Sequence, residues 1–156
     1  MDMTSTPVSP LDGLAAHYLA MPPVAALQPV IDHWQDGHLR LRAPLAANVN
    51  DKGCAFGGSL ASLMTLASWG LVSLELAQHD IDADMFVADS RVRYLKPVFE
   101  DLQVEACFDD AGERVALLDA LRGLGRASIR LQARTLLVDG GVAATFVGRY
   151  VAIIRG

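Results

Sequence analysis

Hydrophobic residues recur along this chain with two different periods, and each period predicts one kind of element. Helical spacing covers residues 11–21, where Pro22-Pro23 then ends the helix, and it returns over 113–124 before Gly125. The run over 57–78 is instead apolar on nearly every side. A helix without a polar face is typical of the centre of a folded core, so we expect this one to be buried. The expected apolar stripe of the last helix is Val115, Leu118 and Leu121.

Strict alternation of apolar and polar residues predicts strands in most of the remaining chain. The predicted strands cover 26–35 (weakly), 38–42, 88–94, 102–108, 129–134 and 142–154. Asp36-Gly37 is a turn signal for a hairpin between the first two. This order of elements predicts an α+β fold in which a long antiparallel sheet wraps around the central apolar helix. Such a sheet leaves edges and half-covered surface, so we expect a homodimer or a larger homo-oligomer.

The composition fits one folded domain. Of the 156 residues, 52% are hydrophobic and 20% are charged, which is enough apolar material for a core. The Ser/Thr/Pro-rich residues 1–10 predict a loose N-terminal tail, which leaves 11–156 as the single domain. A net charge of −5 argues against a broad nucleic-acid surface. Two cysteines, Cys54 and Cys107, are too few for a disulfide framework, and no signal peptide is visible, so we expect a cytoplasmic protein.

One segment tests that expectation, because residues 53–74 form a stretch of 22 residues without a charge. That length is sufficient to span a bilayer. The flanks show no charge asymmetry that would orient a span. Several hydroxyl residues also make the segment too polar for a typical span, so we expect no membrane span. These residues are Ser59, Ser62, Thr65, Ser68 and Ser73.

The segment 50–60 reads Asn-Asp-Lys-Gly-Cys-Ala-Phe-Gly-Gly-Ser-Leu. It resembles the signature of hotdog-fold acyl-thioester enzymes, many of which have Asn, a Gly three residues later, and then His-Gly-Gly at the start of the central helix. Phe in place of His, followed by Gly-Gly-Ser-Leu, is more similar to the "putative thioesterase" family, which also occurs as the C-terminal domain of YiiD-type proteins. The run 94–98, Tyr-Leu-Lys-Pro-Val, resembles a strand end common in the same superfamily. The resemblance covers about 11–154 and implies a hotdog fold.

Gly57 and Gly58 begin the central helix, where backbone N–H groups are unpaired and carry a partial positive charge. Glycine allows a substrate carbonyl to approach closely, so the pair can form an oxyanion site for a thioester. The alternative is that the glycines only permit tight packing. Asn50, on the preceding loop, can donate to the same oxygen or hold the loop in place.

Thr65 follows Gly58 by seven residues, two helical turns, which places both on one face about 10 Å apart along the axis. The alternative is a threonine that bonds back to its own helix, and position alone favours it. Related His-Gly-Gly thioesterases usually have Asp or Glu at the matching position. Here no acidic residue occurs between Asp51 and Glu75, which disfavours hydrolysis by a helix carboxylate.

Decarboxylation of a malonyl thioester requires no base, because the main task is to stabilise the enolate that remains. Asn50 and Thr65 resemble the catalytic pair of malonyl-[acyl carrier protein] decarboxylases in this family. The resemblance implies that Gly58 N–H and Asn50 polarise the carbonyl while Thr65 orients the departing carboxylate. The product, an acetyl thioester, feeds fatty-acid biosynthesis. Further expected pocket residues, each with plain packing as its alternative, are Phe56, Gly57, Ser59 and Ser68.

The polar side of the strand over 88–94 is basic. Arg91, Arg93, Lys96 and Arg149 are candidates for a rim that binds an acyl carrier protein or the phosphates of CoA, and a solvated strand face is the equal alternative. Asp89 lies on the same side of the predicted strand as Arg91 and Arg93, so it is expected to point away from the helix. The four histidines have no ligand spacing, so no metal is expected.

The sequence therefore favours a malonyl-acyl carrier protein decarboxylase. The first alternative is an acyl-CoA or acyl-carrier-protein thioesterase that uses water held by Asn50 and Thr65. The second is a non-catalytic module that binds the carrier protein or an acyl chain. No separate cofactor is expected, because the substrate is carried on the phosphopantetheine of an acyl carrier protein or on CoA.

Overall fold

The computed structural model describes residues 8–108 and 110–155. The helices are α1 (Pro10–Ala20), α2 (Pro22–Ala25), α3 (Gly57–Gln78) and α4 (Ala111–Leu124), with a 3-10 turn at Leu45–Ala47. The strands are β1 (Val30–Gln35), β2 (His38–Ala43), β3 (Ala83–Tyr94), β4 (Leu102–Phe108), β5 (Arg126–Leu136) and β6 (Val142–Ile154). They form one six-stranded sheet in the order β1-β2-β4-β5-β6-β3, and each neighbouring pair is antiparallel.

The sheet packs against α3 with the residues that the alternation predicted to be apolar and inward. Leu39, Val104, Leu131 and Phe146, from four different strands, are all at most 1% exposed. α3 is long and apolar enough to cross a membrane, but most of it is buried inside the fold. The prediction of a long antiparallel sheet around a central apolar helix is confirmed.

The first hairpin has the predicted turn. Asp36 and Gly37 have φ angles of 52° and 73°, and Gln35 pairs with His38 directly across the turn. Two residues with positive φ match the twist of the flanking strands, which is why Asp-Gly is favoured there. The preceding strand is shorter than predicted. Pro22-Pro23 ends α1 but also begins α2, because proline is tolerated in the first turn of a helix, so β1 starts only at Val30.

The last helix also differs from its prediction. It begins earlier, at Ala111, because the Asp110 carboxylate caps it by accepting a hydrogen bond from Glu113 N at 3.0 Å. Val115, expected to face inward, is 58% exposed, and Leu117 is buried in its place together with Leu118 and Leu121. Residues two apart on a helix lie on nearly opposite sides, so Val115 and Leu117 cannot share the buried stripe. Gly125 ends the helix with a φ of 70°, as predicted.

β3 lies at one edge of the sheet and contains a bulge between Val87 and Asp89. Val87 pairs with Tyr150 and Asp89 with Arg149, so Ala88 is an extra residue without a partner. A bulge of this kind shifts the alternation of the strand by one position. Beyond it, Val92 packs towards the core, while the arginines of β3 lie on the outer face of the sheet.

The predicted tail over 1–10 lies mostly outside the described residues. Where the described chain begins, the Ser9 hydroxyl accepts a hydrogen bond from Asp12 N at 3.1 Å, and Pro10 is the first residue of α1. Ser9 is therefore the N-cap of this helix. The division into a tail and a domain over 11–156 stays a prediction.

Candidate active site

The loop before α3 is closed by backbone hydrogen bonds. Phe56 N donates to Asn48 O at 2.7 Å, and Asn50 N donates to Cys54 O at 2.8 Å. These bonds make a narrow hairpin that delivers Asn50 on one side and the start of α3 on the other. The loop is thus a preorganised part of the fold.

The side chain of Asn50 is fixed within that loop. Its Oδ1 accepts hydrogen bonds from Lys52 N at 2.8 Å and from Cys54 N at 3.2 Å, while its Nδ2 donates to Cys54 Sγ at 3.3 Å. A primary amide has two N–H donors, so one remains for a ligand. Asn50 therefore holds the loop and can also donate to a substrate, the two roles that the sequence left open.

The start of α3 presents backbone donors without a side-chain cap. Phe56 is the N-cap residue and its side chain makes no capping hydrogen bond, whereas its carbonyl accepts from Ser59 N and Leu60 N at 3.0 and 3.2 Å. The N–H groups of Gly57 and Gly58 precede these bonds and belong to the unpaired set at a helix start. They are available as donors for an oxyanion.

The two glycines have different surroundings. A Cβ at Gly58 would overlap the ring of Phe56, so only glycine allows the ring to lie where it does. A Cβ at Gly57 would meet the Tyr94 ring at 3.4 Å, an ordinary contact. Tight packing, the alternative role considered for the two glycines, thus applies to Gly58. This packing involves its Cα side and leaves its backbone N–H at the uncapped helix start.

A cleft of about 260 Å³ lies beside this helix start. The Tyr94 hydroxyl donates to Gly57 O at 3.0 Å, and Ala55 N donates to Val98 O at 2.8 Å, which joins the end of β3 to the loop. The two segments that carry the family resemblance, 50–60 and 94–98, are therefore in contact here. None of the eight residues lining the cleft is acidic: Ala55, Gly57, Leu60, Tyr94, Leu95, Lys96, Pro97 and Val98.

Tyr94 is the residue that the sequence analysis did not single out. Its phenol anchors the carbonyl of Gly57 although the two are 37 residues apart in sequence. Periodicity carries no information about such a contact. Its position in the Tyr-Leu-Lys-Pro-Val run was the one available signal.

Thr65 bonds back to its own helix. Its Oγ1 donates to Ala61 O at 2.8 Å, and its carbonyl accepts from the Tyr150 hydroxyl at 2.8 Å. Burial raises the pKa of Tyr150, which keeps this phenol protonated as a donor. Thr65 is half-buried, and its role in catalysis stays a prediction.

The predicted pocket residues fall into two groups. Gly57 and Lys96 line the cleft, and Phe56 is 57% exposed next to Gly57. Asn50, Gly58 and Thr65 are not among the lining residues, so their catalytic roles stay predictions. Ser59 and Ser68 are instead buried, at 6% and 0% exposure. Both serines lie inside the fold, and their role as pocket residues stays a prediction.

Asp89 and Glu75 are each engaged in an ion pair. Asp89 Oδ2 lies 2.9 Å from an Arg149 guanidinium nitrogen on the outer face of the sheet, as its alternation predicted. Glu75 pairs with Arg114 at 2.7 Å, near the opposite end of α3. Among residues 8–108 and 110–155 there is no group of three His, Cys, Asp or Glu that could hold a metal ion.

Residues 16–154 match the family described as "Putative thioesterase (yiiD_Cterm)". The chain belongs to this family. Its members are hotdog-fold enzymes that act on acyl thioesters, so both the predicted family and the predicted hotdog fold are confirmed.

Solved structures agree with this assignment. A "putative thioesterase" from Shewanella oneidensis is 30% identical, with a TM-score of 0.82 over 92% of this chain and 97% of that one. A protein from Chlorobaculum tepidum is 24% identical, with a TM-score of 0.85 over 95% and 98% of the two chains. A "Probable Thioesterase" from Pseudomonas aeruginosa is also 24% identical, with a TM-score of 0.77 over 96% and 100%. The last two show the shared fold alone.

Proposed function

We propose that this protein is a cytoplasmic malonyl-acyl carrier protein decarboxylase whose active site is the cleft at the start of α3. One observation supports the proposal: the cleft lies at the uncapped start of α3, where Gly57 lines it, and none of its lining residues is acidic. Donors without a proton acceptor suit a reaction that generates an oxyanion and needs no base. The product is an acetyl thioester that enters fatty-acid biosynthesis.

The step begins with the thioester oxygen held by Gly58 N–H and by the free N–H of Asn50 Nδ2. The bond between the α-carbon and the carboxylate carbon breaks, carbon dioxide leaves, and the electron pair becomes an enolate with its charge on the held oxygen. A proton from water then gives the acetyl thioester. The apolar lining residues Leu60, Leu95 and Val98 would disfavour a substrate carboxylate placed against them and so assist its loss.

Thr65 must change partner to take part. A carboxylate accepts hydrogen bonds, so the Thr65 hydroxyl has to turn from Ala61 O towards the substrate. Exchanging one hydrogen bond for another of similar strength costs about 1 kcal/mol or less. The hydroxyl is neutral and does not repel the incoming carboxylate, unlike an Asp or Glu at this position.

Thioester hydrolysis is the second candidate function, because the family and a 30% identical structure carry the name thioesterase. In this reaction Asn50 and Thr65 would position a water molecule, and the same helix donors would stabilise a tetrahedral oxyanion. The reaction needs a proton acceptor, which the lining of the cleft does not include.

We further propose a homodimer formed through β3. This strand is at the sheet edge, and exposed apolar side chains lie on it or beside it: Phe86 and Val87 are 58% and 46% exposed, and Phe56 and Tyr94 are 57% and 56% exposed. Pairing with β3 of a second copy would satisfy the open backbone groups and cover these side chains.

Product analysis tests the proposed function. Purified protein is incubated with malonyl and with saturated acyl thioesters, on acyl carrier protein and on CoA. Carbon dioxide with an intact acetyl thioester is the expected result. Release of free thiol would instead establish hydrolysis, and a complex without either product would establish a binding module.

Variants test the site. Asn50→Ala and Thr65→Ala should each abolish turnover while the protein stays folded by circular dichroism. Ser62→Ala is the matched control, since Ser62 is an exposed hydroxyl residue of the same helix. Full turnover in both site variants would overturn the assignment.

A further inference from the structure

The register of the strands brings arginines together on the outer face of the sheet. Arg93 of β3 pairs with Thr145 of β6, which pairs with Arg134 of β5. The same row continues to Glu105 of β4 and Arg40 of β2. Residues in one row point to the same side, so this row carries three arginines around one glutamate.

Two parallel rows lie next to it. One contains Arg91, which pairs with Val147 of β6, and the other contains Asp89, Arg149 and Arg130 in adjacent strands. The arginines of these rows therefore cover an area of about 10 Å across the strands, which is two strand spacings, and about 13 Å along them, which is four residues. We define the arginine face as Arg91, Arg93, Arg130, Arg134 and Arg149.

This face is basic although the protein has a net charge of −5. Arg149 is paired with Asp89 at 2.9 Å, and Glu105 is shared between Arg40 at 2.7 Å and Arg134 at 3.8 Å. Within the part of the chain that the structure describes, Arg91 and Arg93 have no carboxylate at ion-pair distance, and both are exposed. Two guanidinium groups are thus free to bind an external anion.

The arginine face reaches the rim of the cleft. Arg93 is followed directly by Tyr94, whose hydroxyl holds Gly57 O, and then by Lys96, which lines the cleft. Adjacent residues of a strand point to opposite faces, so Arg93 faces outward where Tyr94 faces α3. A macromolecule bound to the arginine face would therefore lie next to the end of β3 that borders the cleft.

We propose that the arginine face is the docking surface for an acidic helix of the acyl carrier protein that delivers the thioester. The proposal rests on the proposed function, because it assumes a protein-borne substrate. Carboxylates three or four residues apart on a helix lie about 5–6 Å from one another. Arg91 and Arg93, two residues apart on β3, are separated by about 7 Å, so each guanidinium can meet one carboxylate.

Other occupants fit less well. The face extends over three strands, whereas the phosphates of one CoA molecule would engage a single cluster. Stacking of two copies through this face would bring like charges together. A nucleic acid would be repelled by the net negative charge of the rest of the protein.

Steady-state kinetics with both carriers tests the proposal. In the double variant Arg91→Glu and Arg93→Glu, KM for malonyl-acyl carrier protein should rise at least about tenfold, with kcat and all parameters for malonyl-CoA unchanged. The wild-type KM for the protein substrate should also rise with salt, since exposed charges are screened. Arg122→Glu, an exposed arginine on α4, is the control and should change nothing.

Three results would overturn the docking surface. The first is an unchanged KM for the protein substrate in a double variant with wild-type circular dichroism. The second is an equal loss with malonyl-CoA, which would indicate a phosphate site. The third is arginine-dependent binding of an RNA oligonucleotide instead of the carrier. Direct titration with unloaded carrier protein measures docking even if no turnover occurs, so it separates this proposal from the proposed function.

Discussion

The two ends of α3 are built in opposite ways. Near its C-terminal end, Glu75 is 5% exposed and is held by Arg114 at 2.7 Å and His79 at 3.4 Å. At its N-terminal end there is no charge and no side-chain cap, and two glycines stand next to a cleft. One end satisfies its polar groups within the protein, while the other leaves its donors for a ligand. The same helix thus serves as a structural core at one end and as a binding element at the other.

The middle of α3, like its C-terminal end, has its polar groups bonded within the protein. Tyr18 of α1 donates its hydroxyl to Leu66 O at 2.7 Å, and it occupies the space that a side chain at Gly70 would need. Tyr150 donates to Thr65 O in the same way from β6. Helix carbonyls in this region therefore have buried phenols as additional partners. The contrast predicts that changes at the N-terminal end and at the Thr65 hydroxyl alter activity, and that changes at Gly70 and at Glu75 alter stability.

The largest expected effect is on kcat, in the variant Asn50→Asp on the loop before the N-terminal end of α3. Its Oδ1 can still accept from Lys52 N and Cys54 N, but the donor becomes a negative oxygen. We predict that kcat for the malonyl thioester falls at least about 100-fold, since one oxyanion donor is lost and a like charge is added. Single-turnover assays measure this. Asp51→Asn, an exposed neighbour with the opposite change in charge, is the control and should keep its kcat.

The next largest effect is on the stability of the protein and concerns the C-terminal end of α3. Arg114→Met leaves the buried Glu75 carboxylate without its main partner. Because Arg114 is itself 34% exposed, we expect a loss of about 2–3 kcal/mol in the free energy of unfolding, below the usual value for a fully buried pair. Urea denaturation measures the loss, and kcat should not change. Arg122→Met on the same helix should stay within about 0.5 kcal/mol of wild type. A comparable loss there would refute the role of the ion pair.

A pair of glycine substitutions sharpens the comparison further. In Gly70→Ala the added Cβ would overlap the Tyr18 hydroxyl, which cannot move far inside the core. We predict a destabilisation of about 1–3 kcal/mol from overpacking. In Gly57→Ala the new Cβ meets the Tyr94 ring at 3.4 Å, so the stability should change less than in Gly70→Ala. Thermal unfolding of both variants decides this, and equal losses would contradict the structural difference.

The smallest effect concerns pH. Burial raises the pKa of Tyr18 and of Tyr150 above the ordinary value of about 10. The unfolded chain therefore releases protons near pH 10 while the folded protein retains them, so stability is complete well below pH 10 and falls as the pH rises through 10 and beyond. At pH 10 the ionisation of each tyrosine in the unfolded chain lowers the free energy of unfolding by about 0.4 kcal/mol. The difference in unfolding free energy between Tyr18→Phe and wild type should shift by this amount from pH 8 to pH 10. A constant difference would mean that Tyr18 ionises normally.

Local pattern was sufficient for most of the fold. The bounds of α3 and β6, the Asp36-Gly37 turn and the inward residues of β4 and β5 all follow from periodicity and turn chemistry. The errors arose where two local rules compete. Pro22-Pro23 can end one helix and start the next, and the stripe of α4 depends on whether Val115 or Leu117 meets the sheet.

The candidate site was less accessible from sequence. The segments 50–60 and 94–98 were found by resemblance, and the structure brings them together through Tyr94 and Gly57. The hydrogen bond from Thr65 to Ala61 was anticipated as an alternative, since it is local to one helix. The contact of Phe56 with Gly58 and the orientation of Asn50 by Cys54 were not, because both depend on side-chain packing within the loop.

The bulge in β3 has a consequence for the chemistry at the cleft. Without Ala88, every later residue of the strand would exchange sides, since side chains alternate with a period of two. Arg93 would then extend its guanidinium towards Gly57, and Tyr94 would turn its phenol to bulk water. A single unpaired residue, six positions before Tyr94, thus decides whether a phenol or a second cation beside Lys96 faces Gly57.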